Sequence, residues 1–449
     1  MDQEIEIILN KCYGLLSNRE YKKAEFFLVE PLKKYPESVQ ILGLAGLTFR
    51  FANKLDKSEQ LFIKALRIDE KNIANNFNYA GLLISLKRYP EALPLMEIVI
   101  NADSNNEEYL SRYGSILKSL GMKKDALNVL LKAYSLNNKN PRLNMMLSEV
   151  LLSLGDFKNG WNLYEYRFAT YQYKHIGIQD PKKRWNGVAN ISGNEILILC
   201  EQGLGDSIHF LRYVQILKQK YIKLKVSIAC KFSLCSLFEK LDLFQNVFEI
   251  SLVSKFKEKF NLWIPLMSLP IYLEGNPLKD NVVFPYINFP GEFSLKRKNK
   301  NLTIGIAWKG NPNHTNDVRR SIKSLNDLRE ILEIKNINFI SLQYGEKIPQ
   351  ELNGLIRKEV PENSDFLDTA KIISQVDIVI SVDTSIAHLA GAMNKNCLVL
   401  IPKINQDWRW ISNKGNSIWY PNSKLFFQKK DMSWKKELLE IKNYLEVLV

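Results

Sequence analysis

A small side chain returns every 34 residues through the first third of the chain: Ala24, Ser58, Ala92, Ala126 and Gly160. Self-similarity at that period means one supersecondary unit copied and stacked, so this stretch is limited to a solenoid before any other property is weighed. Nine residues ahead of each small residue stands an apolar one (Leu15, Phe49, Leu83, Leu117, Leu151), and four behind stands another (Leu28, Phe62, Met96, Leu130, Tyr164). Two helices per repeat follow from this spacing. Twelve residues ahead come Cys12, Gly46, Ala80, Gly114 and Ser148, small enough to let the paired helices approach closely. Turns between repeats are expected at Lys34 to Glu37, Asp69 to Asn72, Ser104 to Asn106 and Asn137 to Pro141.

In period and in the placing of its small residues, this segment resembles tetratricopeptide repeats over about residues 4–168, with five units of which the first and last are less regular. The resemblance implies a repeat domain, 1–168, whose concave surface binds a protein or an acceptor. Pure spacing or oligomerisation is the alternative.

After Tyr164-Glu165-Tyr166-Arg167-Phe168 the helical period stops, and 169–190, with Gln179-Asp180-Pro181 and Trp185-Asn186-Gly187, reads as a linker. Short apolar runs at Glu195 to Cys200, Lys225 to Ala229, Val247 to Ile250 and Leu262 to Pro265 then alternate with helical stretches such as Ser207 to Lys218 and Ser233 to Leu241. A second series has runs at Thr303 to Trp308, Asn338 to Leu342, Asp377 to Val382 and Cys397 to Ile401. Such alternation predicts βαβ units, hence two Rossmann-like lobes at 191–293 and 301–449, separated by a basic linker, 294–300, that holds Lys296-Arg297-Lys298 and Lys300. Ligands of open parallel sheets bind beyond the carboxyl ends of the strands, so the turns after those runs are where chemistry is expected.

Three turns stand out. Glu201-Gln202-Gly203-Leu204-Gly205-Asp206-Ser207 has two glycines of a dinucleotide fingerprint, but Ile208 stands where the third belongs. Asp206 reads either as a helix N-cap or as a general base, and the roles conflict: capping amides lowers a carboxyl pKa, whereas a desolvated cleft raises it. Lys309-Gly310-Asn311-Pro312, continuing to Arg319-Arg320-Ser321, places three cations, Lys309, Arg319 and Arg320, on a loop suited to phosphate oxygens; His314 within it reads as a solvated loop residue. Asp383-Thr384-Ser385, with His388 one turn on, opens a helix whose first amides suit an anion, or else simply caps it. Gln343 in Leu342-Gln343-Tyr344-Gly345-Glu346 is a candidate contact to a ribose or base, and a polar turn explains it equally. The aromatic segments Asp407-Trp408-Arg409-Trp410 and Trp419-Tyr420-Pro421 read as packing of the C-terminal tail across the lobes, with stacking on a base or sugar as the alternative.

The net charge of +14 favours anionic partners without choosing among them. The basic run 296–300 lacks interleaved aromatics and reads as solvated, so no nucleic acid is expected. An acidic start, Met1-Asp2-Gln3-Glu4, and no apolar run near the ~20 residues that span a bilayer predict a cytoplasmic chain without a membrane segment. Five scattered cysteines read as core residues. No D-x-D pair, zinc-spaced cluster, Walker A loop or G-x-S-x-G elbow occurs, so neither a metal nor a cofactor is expected.

Taken in order, several of these segments resemble bacterial proteins that join tetratricopeptide repeats to a glycosyltransferase family 9 domain, the family of the lipopolysaccharide heptosyltransferases. The residues that carry the likeness are Gly160-Trp161, Tyr164 to Arg167, Trp185-Asn186-Gly187, Glu201 to Asp206 with Phe210, Arg212 and Tyr213, Ala307 to Pro312, Leu342-Gln343, Val382 to Ser385 with His388-Leu389-Ala390, and the two aromatic segments. The resemblance implies a GT-B fold, metal-independent inverting transfer from a nucleotide-sugar donor to a protein or glycan acceptor, and Asp206 as the base. It implies that Lys309, Arg319, Arg320, Gln343, Asp383, Thr384, Ser385 and His388 hold the donor. The cation loop is longer than in heptosyltransferases, and Ser385 stands where those enzymes usually have glycine, so the donor sugar does not carry over. The competing expectation is a repeat scaffold whose α/β region is catalytically inactive.

Overall fold

The computed structural model describes residues 2–170, 180–288, 301–361 and 363–449; the basic linker 294–300 and residues 171–179 of the first linker lie outside these. Two compact units divide between Leu147 and Ser148.

The first unit is all helical: α1 (Asp2–Ser17), α2 (Tyr21–Phe27), α3 (Val29–Lys34), α4 (Val39–Phe51), α5 (Leu55–Ile68), α6 (Ile73–Ser85), α7 (Tyr89–Ala102), α8 (Glu107–Ser119), α9 (Lys123–Leu136) and the first half of α10 (Pro141–Ser153). The helices pair as α4 with α5, α6 with α7 and α8 with α9. The 34-residue frame explains each pair. Ala24, Ser58, Ala92 and Ala126 are fully buried, and so are Phe62, Met96 and Leu130 four residues later. A Cβ on Gly46 would come 2.9 Å from the Phe62 ring, and one on Gly114 2.5 Å from Leu130 Cδ2, so glycine sets how near these helices lie. Ser38, Asn72 and Asn106 cap α4, α6 and α8 by accepting first-turn amides. The first repeat is irregular because Pro31, which has no N–H to donate one turn back, follows the break between α2 and α3.

The second unit begins with the end of α10 and α11 (Phe157–Tyr164), still in repeat register: Ser148 Oγ donates to Gly160 O at 2.8 Å, mirroring Ser58 Oγ to Gly46 O at 2.7 Å in the first unit. Two sheets follow. The first has order β3-β2-β1-β4 and is parallel throughout: β1 (Glu195–Leu199), α12 (Leu204–Lys220), β2 (Lys225–Cys230), α13 (Phe232–Glu239), β3 (Asn246–Glu249), α14 (Val253–Phe256), β4 (Trp263–Pro265) and α15 (Leu269–Tyr272). The second contains β5 (Leu302–Ala307), α16 (Asp317–Arg320), α17 (Arg329–Leu332), β6 (Ile337–Ser341), β7 (Ile356–Lys358), α18 (Phe366–Gln375), β8 (Ile378–Val382), α19 (Ser385–Ala392), β9 (Asn396–Ile401), the hairpin strands β10 (Ser412–Asn413) and β11 (Asn416–Ser417), β12 (Ser423–Phe427) and α20 (Lys435–Glu446). Its order is β10-β11-β12-β9-β8-β5-β6-β7, parallel from β12 to β7.

Both sheets are doubly wound. In the first, the chain moves outward from β1 to β3 and then crosses to β4; in the second it moves from β5 to β7 and then crosses to β8, β9 and β12. The strand order reverses between β1 and β4 and between β5 and β8, which opens a crevice at the carboxyl end of each sheet. Strands β1, β8 and β9 are almost continuously buried, as expected of parallel strands covered on both faces. The region is therefore α/β, with mixed pairing confined to the β10–β12 edge.

Candidate functional site

The turn after β1 puts its two glycines to specific use. Gly203 is the N-cap of α12 and Asp206 its N3 residue, not the cap that the sequence suggested; Asp206 Oδ2 reaches back to accept the Gly203 amide at 2.9 Å. A Cβ on Gly203 would lie 2.8 Å from that same oxygen. Gly205 faces the other way: a Cβ there would meet His388 Cδ2 at 2.8 Å and the Ser385 Cα at 3.4 Å. The starts of α12 and α19, one from each sheet, are thus in contact.

On the opposite side, Thr384 caps α19 by accepting the Ile386 amide at 3.2 Å, and its hydroxyl lies 3.1 Å from Ser381 Oγ. Ser385 is the first helical residue, partly exposed. Asp383, just before the cap, accepts Trp410 Nε1–H at 2.7 Å. Burial, then the nearby charge of Asp407, pushes the Asp383 carboxyl up to about 6 against the pull of Arg320, the Trp410 donor and Arg409.

Between the helix starts lies Arg409. Its Nη2 pairs with Asp206 Oδ1 at 2.5 Å, and its Nη1 donates to both oxygens of Asp407 at 3.0 Å. The guanidinium also covers the Trp408 ring, 4.2 Å from its centroid. Only 6% of the Arg409 side chain is exposed, against 24% for Asp206. Burial works against charge on Arg409, but the two carboxylates hold its pKa above the usual arginine value; burial also raises Asp407, and Arg409 more than offsets this, so Asp407 falls below the usual carboxylate range.

His388 is neutral at pH 7: burial, then the Arg409 charge, brings it down to about 3. Its ring stacks on Trp410 with centroids 4.9 Å apart. Tyr420 Oη lies 2.9 Å from His388 Nδ1 and 2.8 Å from His209 Nδ1, so one hydroxyl joins imidazoles from α19 and α12, donating to one and accepting from the other. Arg212 adds a further tie from α12 to the C-terminal segment, donating to Trp419 O at 2.9 Å. Trp408, Trp410 and Trp419 are all buried, packing the tail across the two sheets.

The cation loop after β5 is braced by its own polar groups. Gln343 Oε1 accepts the amides of Trp308 (3.2 Å) and Lys309 (2.9 Å), so its oxygen serves the backbone. Lys309 Nζ pairs with Glu346 at 2.9 Å, Arg320 Nε with Asp317 at 3.3 Å, and Arg319 Nε with Asp431 at 3.3 Å. Arg320 is the loop cation whose charge acts on both Asp383 and His388. His314 is exposed, as expected of a loop residue.

The turn before α12 is anchored from α11 and the residues after it. Fully buried Arg167 donates to Glu201 Oε1 at 2.9 Å and to Ser268 Oγ at 2.6 Å; Tyr164 and Gln202 share a hydrogen bond, and Trp161 Nε1 donates to Gly275 O at 2.7 Å. Of the sequence-derived candidates, Asp206, Asp383, Thr384, Ser385, His388 and Arg320 gather around the α12–α19 contact, while Arg319, Lys309 and Gln343 make the bonds just described within the second sheet's own loops. Asp407, Arg409 and Tyr420 stand in the aromatic segments read from sequence as tail packing or ring stacking, not as charge partners, and His209 carries no role in that reading. The signal was there in Asp407-Trp408-Arg409, where an acid and an arginine two residues apart flank an aromatic.

The profile of the tetratricopeptide repeat family matches residues 107–140, which is α8, α9 and the turn after them. This chain carries tetratricopeptide repeats. Solved repeat proteins are similar over about a third of the chain: PilF of Pseudomonas aeruginosa (19% identical, 36% of this chain, 76% of that one, TM-score 0.34) and TTC0263 of Thermus thermophilus (15%, 37% and 91%, TM-score 0.32). Protein FlbA of Caulobacter vibrioides is 24% identical over 315 residues, 64% of this chain and 52% of that protein. The chain spans about half the length of this curated relative. Stacked repeats of this kind build extended concave surfaces of the sort used as protein-binding scaffolds. No helix among the described residues is long and apolar enough to cross a membrane.

Proposed function

We propose that the second unit, in a GT-B arrangement, transfers a sugar with inversion from a nucleoside-diphosphate donor to a hydroxyl of a protein or glycan acceptor, and that the repeats bind the acceptor or a partner. The observation that carries the reading is the meeting of two helix starts at the carboxyl ends of two doubly wound sheets, with Asp206 on one side and Asp383, Thr384 and Ser385 on the other. The donor diphosphate lies at the start of α19, where amides, hydroxyls and the Arg320 charge oppose its negative charge. Asp383 accepts a sugar hydroxyl. The acceptor oxygen attacks the anomeric carbon from the face opposite the diphosphate; its O–H proton passes to Asp206 as the anomeric C–O bond breaks, and that bond's electron pair leaves with the nucleotide.

Asp206 already accepts from Gly203 and Arg409, and a carboxylate has about four lone-pair sites, so an acceptor hydroxyl shares Oδ1 with Arg409. The same clamp favours the second reading, a scaffold with an inactive α/β unit. Thermal shift with a panel of sugar nucleotides separates them. A donor present at 100 times its Kd should stabilise the protein by ~2.7 kcal/mol. With that donor, Asp206→Asn should keep binding and lose about 10²-fold or more of transfer. No shift with any donor, or full transfer by the variant, refutes the transferase.

A further inference from the structure

The first unit contains a pair of like charges that its own fold answers only in part. Arg50 on α4 and Arg112 on α8 come from alternate repeats and converge over the helix between them, α6, at Gly81. A Cβ on Gly81 would stand 2.6 Å from Arg50 Nη1 and 2.9 Å from Arg112 Nη1. The repeat does not require glycine here, because the equivalent residues one period away are Leu47 and Ser115. Glycine inside a helix is less favourable than alanine. What it provides at this place is room for two guanidiniums side by side.

Their partners are few. Arg112 donates Nη1 to Phe77 O at 2.9 Å, pairs Nη2 with the largely exposed Glu108 at 3.3 Å, and lies on the Phe77 ring 3.4 Å from its centroid. The Arg50 guanidinium lies 6.0 Å from the Phe51 ring centroid and makes no side-chain hydrogen bond or ion pair among the described residues. Burial lowers both, bringing Arg112 down to about 10, with Arg50 adding its repulsion against the opposing pull of Glu108. Like charges this close in a partly buried place are relieved by an oxyanion, which two guanidiniums grip with parallel hydrogen bonds. Phe77 and Tyr109, with centroids 4.8 Å apart, supply an aromatic floor beside it.

We infer that Arg50 and Arg112, meeting over Gly81, bind a side-chain carboxylate of an acidic peptide segment in a partner protein, whose apolar neighbour rests on Phe77 and Tyr109. This rests on the protein-binding reading of the repeats and is independent of the transferase reading.

The test is fluorescence anisotropy of a labelled oligoglutamate peptide, amidated at its C-terminus, against the full chain at low and at physiological ionic strength. Arg50→Gln should weaken binding about 10-fold or more, since hydrogen bonds between charged groups are the strong ones. Gly81→Ala should weaken it as well without lowering the melting temperature, because alanine favours the helix while its methyl group parts the guanidiniums. Both variants should retain any stabilisation by a sugar nucleotide, which separates this site from the one in the second unit. Equal binding by wild type, Arg50→Gln and Gly81→Ala, or no binding by wild type at low ionic strength, overturns the inference. Displacement of the peptide by equimolar inorganic phosphate reassigns the site to phosphate and overturns the carboxylate.

Discussion

Replacing Asp383 with asparagine should make the protein more stable at neutral pH while removing a residue proposed to hold the donor. The folded chain keeps the Asp383 carboxyl at about 6, where an unfolded aspartate lies near 4. Between those values the folded state holds a proton that the unfolded state has released, so stability from this group falls as pH rises through the window. The distance between the folded and unfolded values sets an upper bound of ~3 kcal/mol at pH 7, of which about 1–3 kcal/mol should appear in practice, because the neighbouring Asp407 adjusts with it. Asparagine keeps an acceptor for Trp410 Nε1 and carries no charge, so it removes the repulsion from Asp407 and the cost of burying a carboxylate. At ~2 °C per kcal/mol for a unit of this size, the variant should melt about 2–6 °C higher at pH 7 and within a degree or so of wild type near pH 4. Differential scanning calorimetry from pH 4 to 8 measures this directly. A variant no more stable at pH 7, or an advantage that does not shrink on acidification, refutes the reasoning.

Other substitutions probe the same contact. Arg409→Met leaves Asp206 and Asp407 without their cation and should cost about 2–5 kcal/mol at pH 7. Because Asp407 is depressed in the folded state, its contribution is present above the unfolded value and lost as pH falls through the folded one, so the deficit should narrow in melts below about pH 4. Gly205→Ala drives a methyl group against His388, which Tyr420 and Trp410 hold in place, and overpacking should cost about 1–3 kcal/mol in the same assay. Tyr420→Phe takes the bridging hydroxyl from two buried imidazoles and should cost about 1–3 kcal/mol; a wild-type melting temperature would show that the bridge contributes nothing. Burial raises the thiols of Cys200 and Cys397, so a thiol reagent at neutral pH should label the partly exposed Cys235 well before either, as read by peptide mass mapping.

Much of the architecture was legible locally. A 34-residue recurrence of small and apolar residues is a statement about one helix pair and its neighbour, both close in sequence, and Ala92, Phe62 and Leu130 are buried where that frame put them. Apolar runs flanked by turns marked β1, β2, β5, β6, β8 and β9 to within a residue or two, because a parallel strand covered on both faces must be apolar throughout. The short strands β7, at one edge of the sheet, and β10 and β11, at the other, carried no such signal, since each has few buried residues.

Sequence alone therefore determined the repeats, the alternation of strands and helices, and the turns in which polar residues follow buried strands, for these depend on periodicity and local backbone chemistry. It did not determine what each polar residue meets. Gly205 and His388 are 183 positions apart in the numbering, and Asp206 and Arg409 belong to different sheets. Only the packing of α12 against α19 sets Arg409 on Asp206, one tyrosine hydroxyl between two histidines, and Asp383 beside Asp407, so the partners of these residues, and the protonation of Asp383 and His388, were decided by tertiary contacts. The same holds for Arg50 and Arg112, ordinary helix-surface residues in the sequence, which meet because the solenoid stacks alternate repeats over a glycine.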